Sequence, residues 1–577
     1  MLPLRAPSLG FVVAASGLST LGAEIATARL LAPAFGSSTV IWANTIAIVL
    51  VALAIGAWLG GRLADRGPSP RKMYRLLLGG AGLLALTPLL AVPLLGIGVQ
   101  ALDDVSAPGF FGSLVAVLLL VATPLALLGA VSPYAVRLAL GAVAEDGDDA
   151  VARAGAIAGR LSALATGGSL CGTFIAALAL IPLVGTRRTF LLFALLLAIV
   201  AVWGLASTGV EADDGDTADR QTDGAALAGS TDASGEASTR SADDLAAAAP
   251  SRAVLLASLV PLAIIALIVA PAPTVKAASD GLTLLEERET NEQYARVLES
   301  PEGTRYMELG EGHAIHSLKR PGSVLTGAYW DELLVLGHLS GRAPKKVLIL
   351  GNAGGTIATA LRTLDPDVHV DAVDYDAQLA ELGKEYFGLG GPRLRLITGD
   401  ARVELRRSAG GYDAIIVDAY RQPYIPFHLS TREFFALAKD RLAPGGVVVV
   451  NVGHPEGDEE LERVLGATMR AAGLKHVLRD PAQTLNTQMV ARAEPIDVEG
   501  VLASFQERRR ALAARPEAAA EPAWLKSDRT ELDQTAVDTA ARLQPAFTGG
   551  AVYTDDKAPV ELLIDGSLAK VAVGGGE

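Results

Sequence analysis

Cysteine is almost absent from this chain, since Cys171 is the one cysteine among 577 residues. One cysteine forms neither an internal disulfide nor a cysteine cluster for zinc or iron–sulfur, and because it lies in an apolar run we expect it to pack within a membrane. Basic charge is also scarce, because 49 Lys and Arg face 63 Asp and Glu, for a net charge of −14. No general basic field attracts nucleic acid, and no spacing of histidines or acids predicts a metal site.

Long apolar runs, by contrast, are abundant and crowd the first half of the chain. A membrane-spanning helix needs about 20 mostly apolar residues. A bundle of six spans is predicted within residues 1–208, and a shorter seventh span within 251–272. The six runs lie near 9–33, 40–62, 74–99, 110–138, 156–184 and 188–207. Small residues in the stretches GAWLGG and ATGGSLCG predict close helix–helix packing.

The distribution of basic residues predicts the orientation of these spans. The loop RLADRGPSPRKMYR, residues 62–75, is rich in Lys and Arg and should face the cytoplasm. Arg187 and Arg188 fall on the opposite side and argue mildly against this orientation. We expect a multi-pass cell-membrane protein in contact with the lipid bilayer. The charge rule with seven spans places the C-terminal half outside the cytoplasm, and a miscounted seventh span would place it inside, so the side stays open. Glu24 and Arg29 lie in or near the first span, where structural pairing is favoured over a transport path.

An acidic, polar tract separates the sixth run from the seventh. Residues 209–250 are mostly Asp, Gly, Ser, Thr and Ala. Such a composition buries too little apolar surface to offset the loss of chain entropy. The tract is therefore predicted to be a disordered linker.

The pattern changes after the seventh run. Residues 279–320 show short alternating strands with turn residues between them, which predicts a small antiparallel β-sheet. Residues 321–577 alternate apolar strands with helices, which predicts a mostly parallel doubly wound sheet. The predicted fold class is an N-terminal α-helical membrane bundle followed by a C-terminal α/β domain. In doubly wound sheets, ligands bind beyond the carboxyl ends of the strands.

The stretch KKVLILGNAGGT, residues 345–356, is the most informative of the C-terminal half. It reads as a buried strand that runs into a turn bounded by Gly351 and Gly355. Glycines at such a turn let a ligand approach backbone N–H groups without a Cβ clash. A second strand ends in an acid about twenty residues later, which is the layout of a nucleotide- or nucleoside-binding unit.

Four further residues end neighbouring strands and should face the same crevice. Asp374 can accept hydrogen bonds from two ribose hydroxyls, and Asp400 from an adenine amino group. Asp418 can bind an amine or take its proton, and Tyr420 lies two residues further on. Together with the glycine turn, this order of residues predicts a nucleoside site.

On these residues the C-terminal half resembles the spermidine/spermine synthase family of polyamine aminopropyltransferases, which has a methyltransferase-like fold. The entire chain is similar to the bacterial type in which a membrane protein is fused to a spermidine synthase. The segments that carry the resemblance are ETNEQYARV (289–297), LTGAYWDELL (325–334), VLILGNAGGT (347–356), AVDYD (372–376), TGDAR (398–402) and IIVDAY (415–420).

The resemblance implies a reaction and a set of roles. Decarboxylated S-adenosylmethionine (AdoMet) would donate an aminopropyl group to a small amine, with release of methylthioadenosine and no metal. By position, Gln293 would contact the nucleoside, Ala401 the adenine, and Pro426 would line the slot. Tyr329 would lie near the amine, and Asp418 would accept the proton.

The sequence departs from the family in the part of the site that holds the amine. Gly354 stands where the family has an acid, Arg421 stands where it has the second acid of its D-x-x-D, and Tyr329-Trp330-Asp331 replaces Tyr-His-Glu. Asp331 is kept as a candidate substrate contact. Two other functions stay open, namely methyl transfer from AdoMet, and a transporter or membrane scaffold with a non-catalytic nucleoside-binding domain. A homodimer also stays open.

Two other features lie near the predicted crevice. The segment VYTDDKAPVE, residues 552–561, either supplies amine contacts or forms a plain turn. His428 and His454 follow strand ends, where surface positions are favoured.

Overall fold

The computed structural model describes residues 6–35, 39–102, 108–145, 150–225, 252–271, 275–276, 278, 281–310, 314–420 and 425–574. The chain forms two compact units, one of N-terminal helices and one that contains the residues from 274 onward.

The N-terminal unit is helical over nearly all of its described residues. Its helices are α1 (Leu9–Phe35), α2 (Thr39–Asp65), α3 (Pro70–Leu102), α4 (Pro108–Val117), α5 (Thr123–Gly129), α6 (Val131–Glu145), α7 (Ala150–Ile175), α8 (Ile181–Val184), α9 (Thr186–Ala225) and α10 (Arg252–Val269). One π-helical turn, Leu118–Ala122, joins α4 to α5, and a second, Ala176–Leu180, joins α7 to α8.

The described helices contain six stretches that are long and apolar enough to cross a membrane, which confirms the six predicted runs. They are Leu9–Pro33, Ile41–Asp65, Pro70–Ala91, Gly112–Ala144, Arg153–Val184 and Thr186–Thr208. The apolar stretch of α10, Ala253–Val269, is shorter than these six.

Glycines bring α1 against α7. A Cβ on Gly168 would lie 2.1 Å from the carbonyl oxygen of Ala14, and a Cβ on Gly172 would lie 2.0 Å from that of Leu18. Similarly, a Cβ on Gly56 of α2 would lie 2.0 Å from the carbonyl oxygen of a residue in α5. The predicted close packing of small residues is thus present in both stretches that suggested it.

Two arginines mark the opposite ends of the apolar part of α9, Thr186–Thr208. Arg71, in the predicted cytoplasmic loop, donates to the carbonyl of Thr208 at 2.7 Å. Arg187, at the start of α9, donates to the carbonyls of Leu267 and Ala270 at 3.0 and 3.2 Å, where it satisfies the C-terminal end of α10. The chain therefore leaves α10 at the end of the unit opposite the basic loop.

The predicted linker differs from the structure at its start. Helix α9 continues to Ala225, so residues 209–225 are helical where the sequence predicted disorder. Polar residues extend a helix in this way because a stable preceding segment supplies the costly nucleus. Residues 226–250 lie outside the described residues.

The C-terminal unit begins with the small antiparallel sheet that the sequence predicts. Its strands follow one another in chain order, and Arg296 faces Glu308 across the second and third strands as a buried ion pair at 2.5 Å. The strands are β1 (Thr283–Glu289), β2 (Tyr294–Glu299), β3 (Arg305–Leu309) and β4 (Ile315–Lys319).

The larger sheet has the strand order β12-β10-β11-β9-β8-β5-β6-β7. Strands β5 to β9 are parallel to one another, and β11 runs antiparallel to both β9 and β10. This mixed, mostly parallel sheet confirms the predicted α/β fold class. Its strands are β5 (Lys346–Leu350), β6 (His369–Asp374), β7 (Leu394–Thr398), β8 (Tyr412–Val417), β9 (Leu442–Gly453), β10 (His476–Asp480), β11 (Asn486–Arg492) and β12 (Gln544–Pro545).

Helices cover both faces of this sheet. They are α11 (Trp330–Leu336), α12 (Thr356–Leu364), α13 (Ala377–Leu382), α14 (Ala401–Arg407), α15 (Arg432–Arg441), α16 (Glu460–Ala471), α17 (Val498–Ala513), α18 (Ala523–Arg542) and α19 (Val560–Gly574). Alternate residues of β5 enter two separate cores: Val347 and Ile349 pack with α11, α12, α17 and α18, and Leu348 and Leu350 with α14, α15, α16 and α19. Burial on both faces explains why β5 is a continuous apolar run.

Candidate functional site

The turn after β5 needs glycine at both ends. Gly351 and Gly355 have φ angles of +90° and +89°, which side-chain-bearing residues rarely adopt. A Cβ on Gly351 would lie 2.4 Å from the carbonyl oxygen of Asp418, and one on Gly355 would lie 2.4 Å from Leu389. The turn therefore packs directly on the segment that follows β8.

Asp374, at the end of β6, binds the same turn. Its Oδ2 accepts hydrogen bonds from the backbone N–H groups of Asn352 and Ala353 at 3.1 and 2.7 Å. Its Oδ1 accepts from the N–H of Asp376 at 3.1 Å. Burial raises the pKa of Asp374 to about 6, although these three hydrogen bonds oppose the shift. Oδ1 can accept a further hydrogen bond, so the ribose contact stays a prediction.

Asp418 lies one residue after β8, and it is partly buried. Its Oδ1 accepts from Asn451 Nδ2 at 2.8 Å, and its Oδ2 accepts from the hydroxyl of Tyr329 at 3.2 Å. The side chain of Trp330 also donates to it. Burial raises the pKa of Asp418 to about 7, against the effect of these donors. A carboxyl group that titrates near neutrality is matched to general acid–base work.

Asn451, which is not among the predicted site residues, binds both Asp418 and Tyr420. The Tyr420 hydroxyl donates to the carbonyl of Asn451 at 2.8 Å and accepts from the N–H of Gly453 at 2.7 Å. A signal was available, because Asn451 is the polar residue that follows the run Val447–Val450 in a strand predicted to be buried. Since Val417 pairs with Val450, the next residues of β8 and β9 come side by side.

Asp400 and Ala401 begin α14 on the predicted adenine side. The Asp400 Oδ1 accepts from the N–H groups of Arg402 and Val403 at 3.0 and 2.9 Å, which caps the helix. Its Oδ2 lies 3.0 Å from His428 Nε2. Both oxygens thus have partners within the protein, and the adenine contact stays a prediction.

The C-terminal segment 552–561 returns to this side of the domain. Asp555 accepts two hydrogen bonds of 2.7 Å from the guanidinium of Arg402, and a third from the hydroxyl of Thr431. Arg402 holds the pKa of Asp555 below its usual value. These contacts make Asp555 a structural ion-pair partner.

Asp331 shapes the turn that presents Tyr329. Its carboxylate accepts from the N–H and hydroxyl of Thr326, both at 3.0 Å, and from the N–H of Gly327 at 2.7 Å. Burial raises the pKa of Asp331. These contacts lie within the turn before α11, and a direct contact between Asp331 and the substrate stays a prediction.

Gln293 belongs to a loop that is tied to the end of β6. Its carbonyl accepts from the N–H of Thr290 at 2.8 Å, and the Thr290 hydroxyl donates to Asp376 at 2.5 Å. The loop of Gln293 is thereby tied to Asp376, two residues after Asp374, and the contact of Gln293 with the nucleoside stays a prediction. Pro426 precedes a short 3₁₀ turn, Phe427–Leu429, whereas Arg421 lies outside the described residues.

Gly354 is enclosed by the small sheet. Its N–H donates to Ser317 Oγ of β4 at 2.8 Å. A Cβ at this position would lie 3.0 Å from Ser317 and from Met307 Cε. An acidic side chain at residue 354 would therefore meet Ser317.

Residues 328–477 match the family described as the spermine/spermidine synthase domain. The C-terminal region carries a spermine/spermidine synthase domain. The matched residues run from the turn before α11 into β10, and so contain Tyr329, Asp374, Asp400, Asp418 and Asn451.

Known proteins similar to this synthase domain include two bacterial relatives. A "Probable polyamine aminopropyl transferase" of Bifidobacterium longum is 31% identical over 255 residues, which are 43% of this chain and 55% of the relative. The "Polyamine aminopropyltransferase" of Vibrio vulnificus is 37% identical over 124 residues, 21% of this chain and 42% of the relative. The chain thus spans about half the length of these relatives. Among solved structures, a probable spermidine synthase from Corynebacterium glutamicum is 18% identical at a TM-score of 0.33, with coverage of 40% of this chain and 93% of the other.

Proposed function

We propose that the synthase domain transfers an aminopropyl group from decarboxylated AdoMet to a small amine. The amine lone pair attacks the methylene carbon next to the sulfonium, and the C–S bond breaks. The bonding electrons return to sulfur to give methylthioadenosine, and the amine proton passes to Asp418. The observation that carries the proposal is a partly buried carboxyl group just after β8 that Tyr329 and Asn451 hold by hydrogen bonds, with its pKa raised to about 7.

The other residues of the site fit separate tasks. The glycine turn lets the nucleoside approach the backbone closely, and Asp374 offers a carboxylate to the ribose. Tyr329 and Asn451 hold the Asp418 carboxylate by hydrogen bonds at 3.2 and 2.8 Å, so its position is fixed before the amine arrives. The family's use of decarboxylated AdoMet supports this choice of donor.

The test uses the full chain in detergent micelles, supplied with decarboxylated AdoMet and a panel of monoamines and diamines. We expect formation of methylthioadenosine that is lost in Asp418→Asn. The matched control is Asp533→Asn, since Asp533 forms a half-exposed ion pair with Arg509 on the α17–α18 side. No turnover with any amine by a folded wild-type protein would leave a non-catalytic, ligand-binding domain as the better account.

Gly354 favours a second candidate, methyl transfer from AdoMet itself. An acid at this position would repel the carboxylate that AdoMet carries and its decarboxylated form lacks. With Gly354, AdoMet meets no such repulsion from residue 354. Mass spectrometry of the acceptor after reaction with each donor separates the two reactions, because one adds a methyl group and the other an aminopropyl group.

We further propose that the domain is anchored in the cell membrane and lies outside the cytoplasm. The basic loop predicts one end of the helical unit to be cytoplasmic, and α10 ends at the other, beside Arg187. Fusions to the C-terminus test this: alkaline phosphatase should be active and green fluorescent protein dark. The reverse pattern would overturn the assignment.

A further inference from the structure

We propose that Gln488 and Asn486, on β11, are positioning residues that fix the side-chain amide of Asn451 with its nitrogen towards Asp418. They touch neither substrate nor donor and act through Asn451. The inference rests on the proposed function, in which Asp418 accepts the proton of the attacking amine.

The contact follows from the register of two antiparallel strands. Gln488 of β11 lies directly opposite Asn451 of β9, and Asn486 lies opposite Gly453. The Asn451 Oδ1 accepts from Asn486 Nδ2 and from Gln488 Nε2, both at 3.0 Å. The Asn451 Nδ2 is then directed to Asp418 Oδ1 at 2.8 Å.

The hydrogen bonds among the side-chain amides of Asn486, Gln488 and Asn451 favour one orientation of the Asn451 amide. The two ends of an Asn side chain have nearly the same shape, so the hydrogen-bond partners alone decide which end faces which group. Two donors on the oxygen of Asn451 favour one orientation, since a flipped amide would point its nitrogen at two other N–H groups. The nitrogen then stays on Asp418, where it stabilises the ionised carboxylate.

The Gln488 side chain is oriented so that its nitrogen donates to Asn451, while its own oxygen has no hydrogen-bond partner among the described residues. This side chain is fully buried. A buried carbonyl oxygen without a partner is costly. If the Asn451 amide were flipped, its Nδ2 would donate to this Gln488 oxygen. Its Oδ1 would then face Asp418, and only a protonated Asp418 tolerates that arrangement.

The titratable groups that face Asp418 leave the Asn451 amide in a position to set the pKa of the Asp418 carboxyl group. Tyr329 faces it from the turn before α11, and Tyr420 from its own segment; burial raises the pKa of both hydroxyls, so both stay neutral near pH 7. The turn after β5 contributes backbone through Gly351. Among the described residues of β9 and β11, Asn451 binds Asp418 directly and Gln488 binds Asn451.

Other charged groups nearby are engaged with one another. His454 follows β9, and its Nε2 lies 3.0 Å from Thr487 Oγ1 and 3.4 Å from Glu462. Glu462 is in turn paired with Arg479 at 2.6 Å.

The test is Gln488→Glu, a change of nearly equal shape that replaces the donor by an acceptor. A glutamate at residue 488 accepts a hydrogen bond from Asn451 Nδ2 and so favours the flipped orientation of the Asn451 amide. We expect the acidic limb of the kcat/KM pH profile to move upward by about one unit, with activity at neutral pH reduced several-fold and recovered at higher pH. Gln488→Met, which removes the donor without adding an acceptor, should give a smaller shift in the same direction.

The control is Gln534→Glu, on the exposed surface of α18, which adds the same charge. It should leave the profile unchanged. An unshifted profile in Gln488→Glu that remains folded by circular dichroism and thermal melting overturns the inference.

Failure of the inference can be told apart from failure of the proposed function. The protonated carboxyl of Asp418 absorbs in the infrared, and the difference between wild type and Asp418→Asn isolates its band. Titration of that band requires no turnover. If the wild type is inactive, the proposed function fails; the inference still stands if the band titrates at higher pH in Gln488→Glu, and falls if it does not.

Discussion

Gly351 and Asp418 are in backbone contact, and the contact leaves no room for a side chain. A Cβ at residue 351 would lie 2.4 Å from the Asp418 carbonyl oxygen and 2.6 Å from the Cα of Ala419. The turn after β5 and the segment after β8 therefore hold each other in place, and the carboxylate of Asp418 depends on a glycine 67 residues earlier in the chain.

Gly351→Ala is expected to lower the free energy of unfolding of the synthase domain by at least about 2 kcal/mol, because strain at positive φ adds to the clash. It should also displace Asp418 and abolish turnover. Gly457→Ala is the matched control, since Gly457 has a φ of +76° and open space at its Cβ. Thermal unfolding of both variants separates strain from clash; equal losses would mean that the contact with Asp418 contributes nothing.

The pH dependence of turnover should follow Asp418. Because burial raises its pKa to about 7, the ionised form that accepts a proton disappears as the pH falls through neutrality. We expect kcat/KM to decline about tenfold for each pH unit below 7. A profile that stays flat between pH 5 and 8, the range that brackets this pKa, would remove Asp418 as the proton acceptor.

The raised pKa of Asp418 also means that its ionisation lowers the free energy of unfolding at neutral pH. A carboxyl group with a raised folded-state pKa contributes stability below its unfolded pKa, and this contribution is lost as the pH rises through about 7. Asp418→Asn should therefore be more stable than wild type above pH 7, by an amount on the order of 1 to 3 kcal/mol, and inactive. Denaturant unfolding at acid and alkaline pH measures this; a difference that does not grow with pH would contradict the raised pKa.

Gly354 and Ser317 should decide which donor is preferred. Gly354→Asp alone is expected to destabilise the domain, because its Cβ would lie 3.0 Å from Ser317. The double change with Ser317→Gly makes room and places a carboxylate near the donor. Calorimetry should then show a preference for decarboxylated AdoMet over AdoMet that is raised about tenfold. Ser317→Gly alone serves as the control, and an unchanged ratio in the double variant would place the donor amine elsewhere.

Packing between α1 and α7 offers a matched pair of glycines. Gly168→Val should disrupt the helical unit, since a Cβ there would lie 2.1 Å from the Ala14 carbonyl oxygen. Gly167→Val should be tolerated, because nothing lies within 4 Å of its Cβ. Thermal stability in detergent, followed by size-exclusion chromatography, is the measurement, and equal melting of the two variants would contradict the packing.

Much of the fold could be predicted because its signals are local. Twenty apolar residues in a row indicate a span, and a strand followed by glycines indicates the turn between β5 and α12. Asp374 and Asp418 could be placed at one crevice because parallel strands align their carboxyl ends.

What the sequence did not reveal depends on contacts between distant residues. Asn451 follows a run of valines, whereas Asn486 and Gln488 flank Thr487 in another strand, and only the antiparallel register of β9 and β11 brings the three together. The pairing of Asp555 with Arg402 spans 153 residues. The helical start of the acidic tract depends on α9, which continues beyond its apolar part.

The contact between Asp374 and the glycine turn also determines which ligands the turn excludes. In phosphate-binding turns, free backbone N–H groups at a helix N-terminus attract an anion. Here the N–H groups of Asn352 and Ala353 already point at a carboxylate. A phosphate at this position would meet a negative charge that competes for the same donors. We therefore expect the turn to discriminate between an uncharged ribose and a phosphorylated one, and so to favour nucleosides over nucleotides before any contact with the base is made.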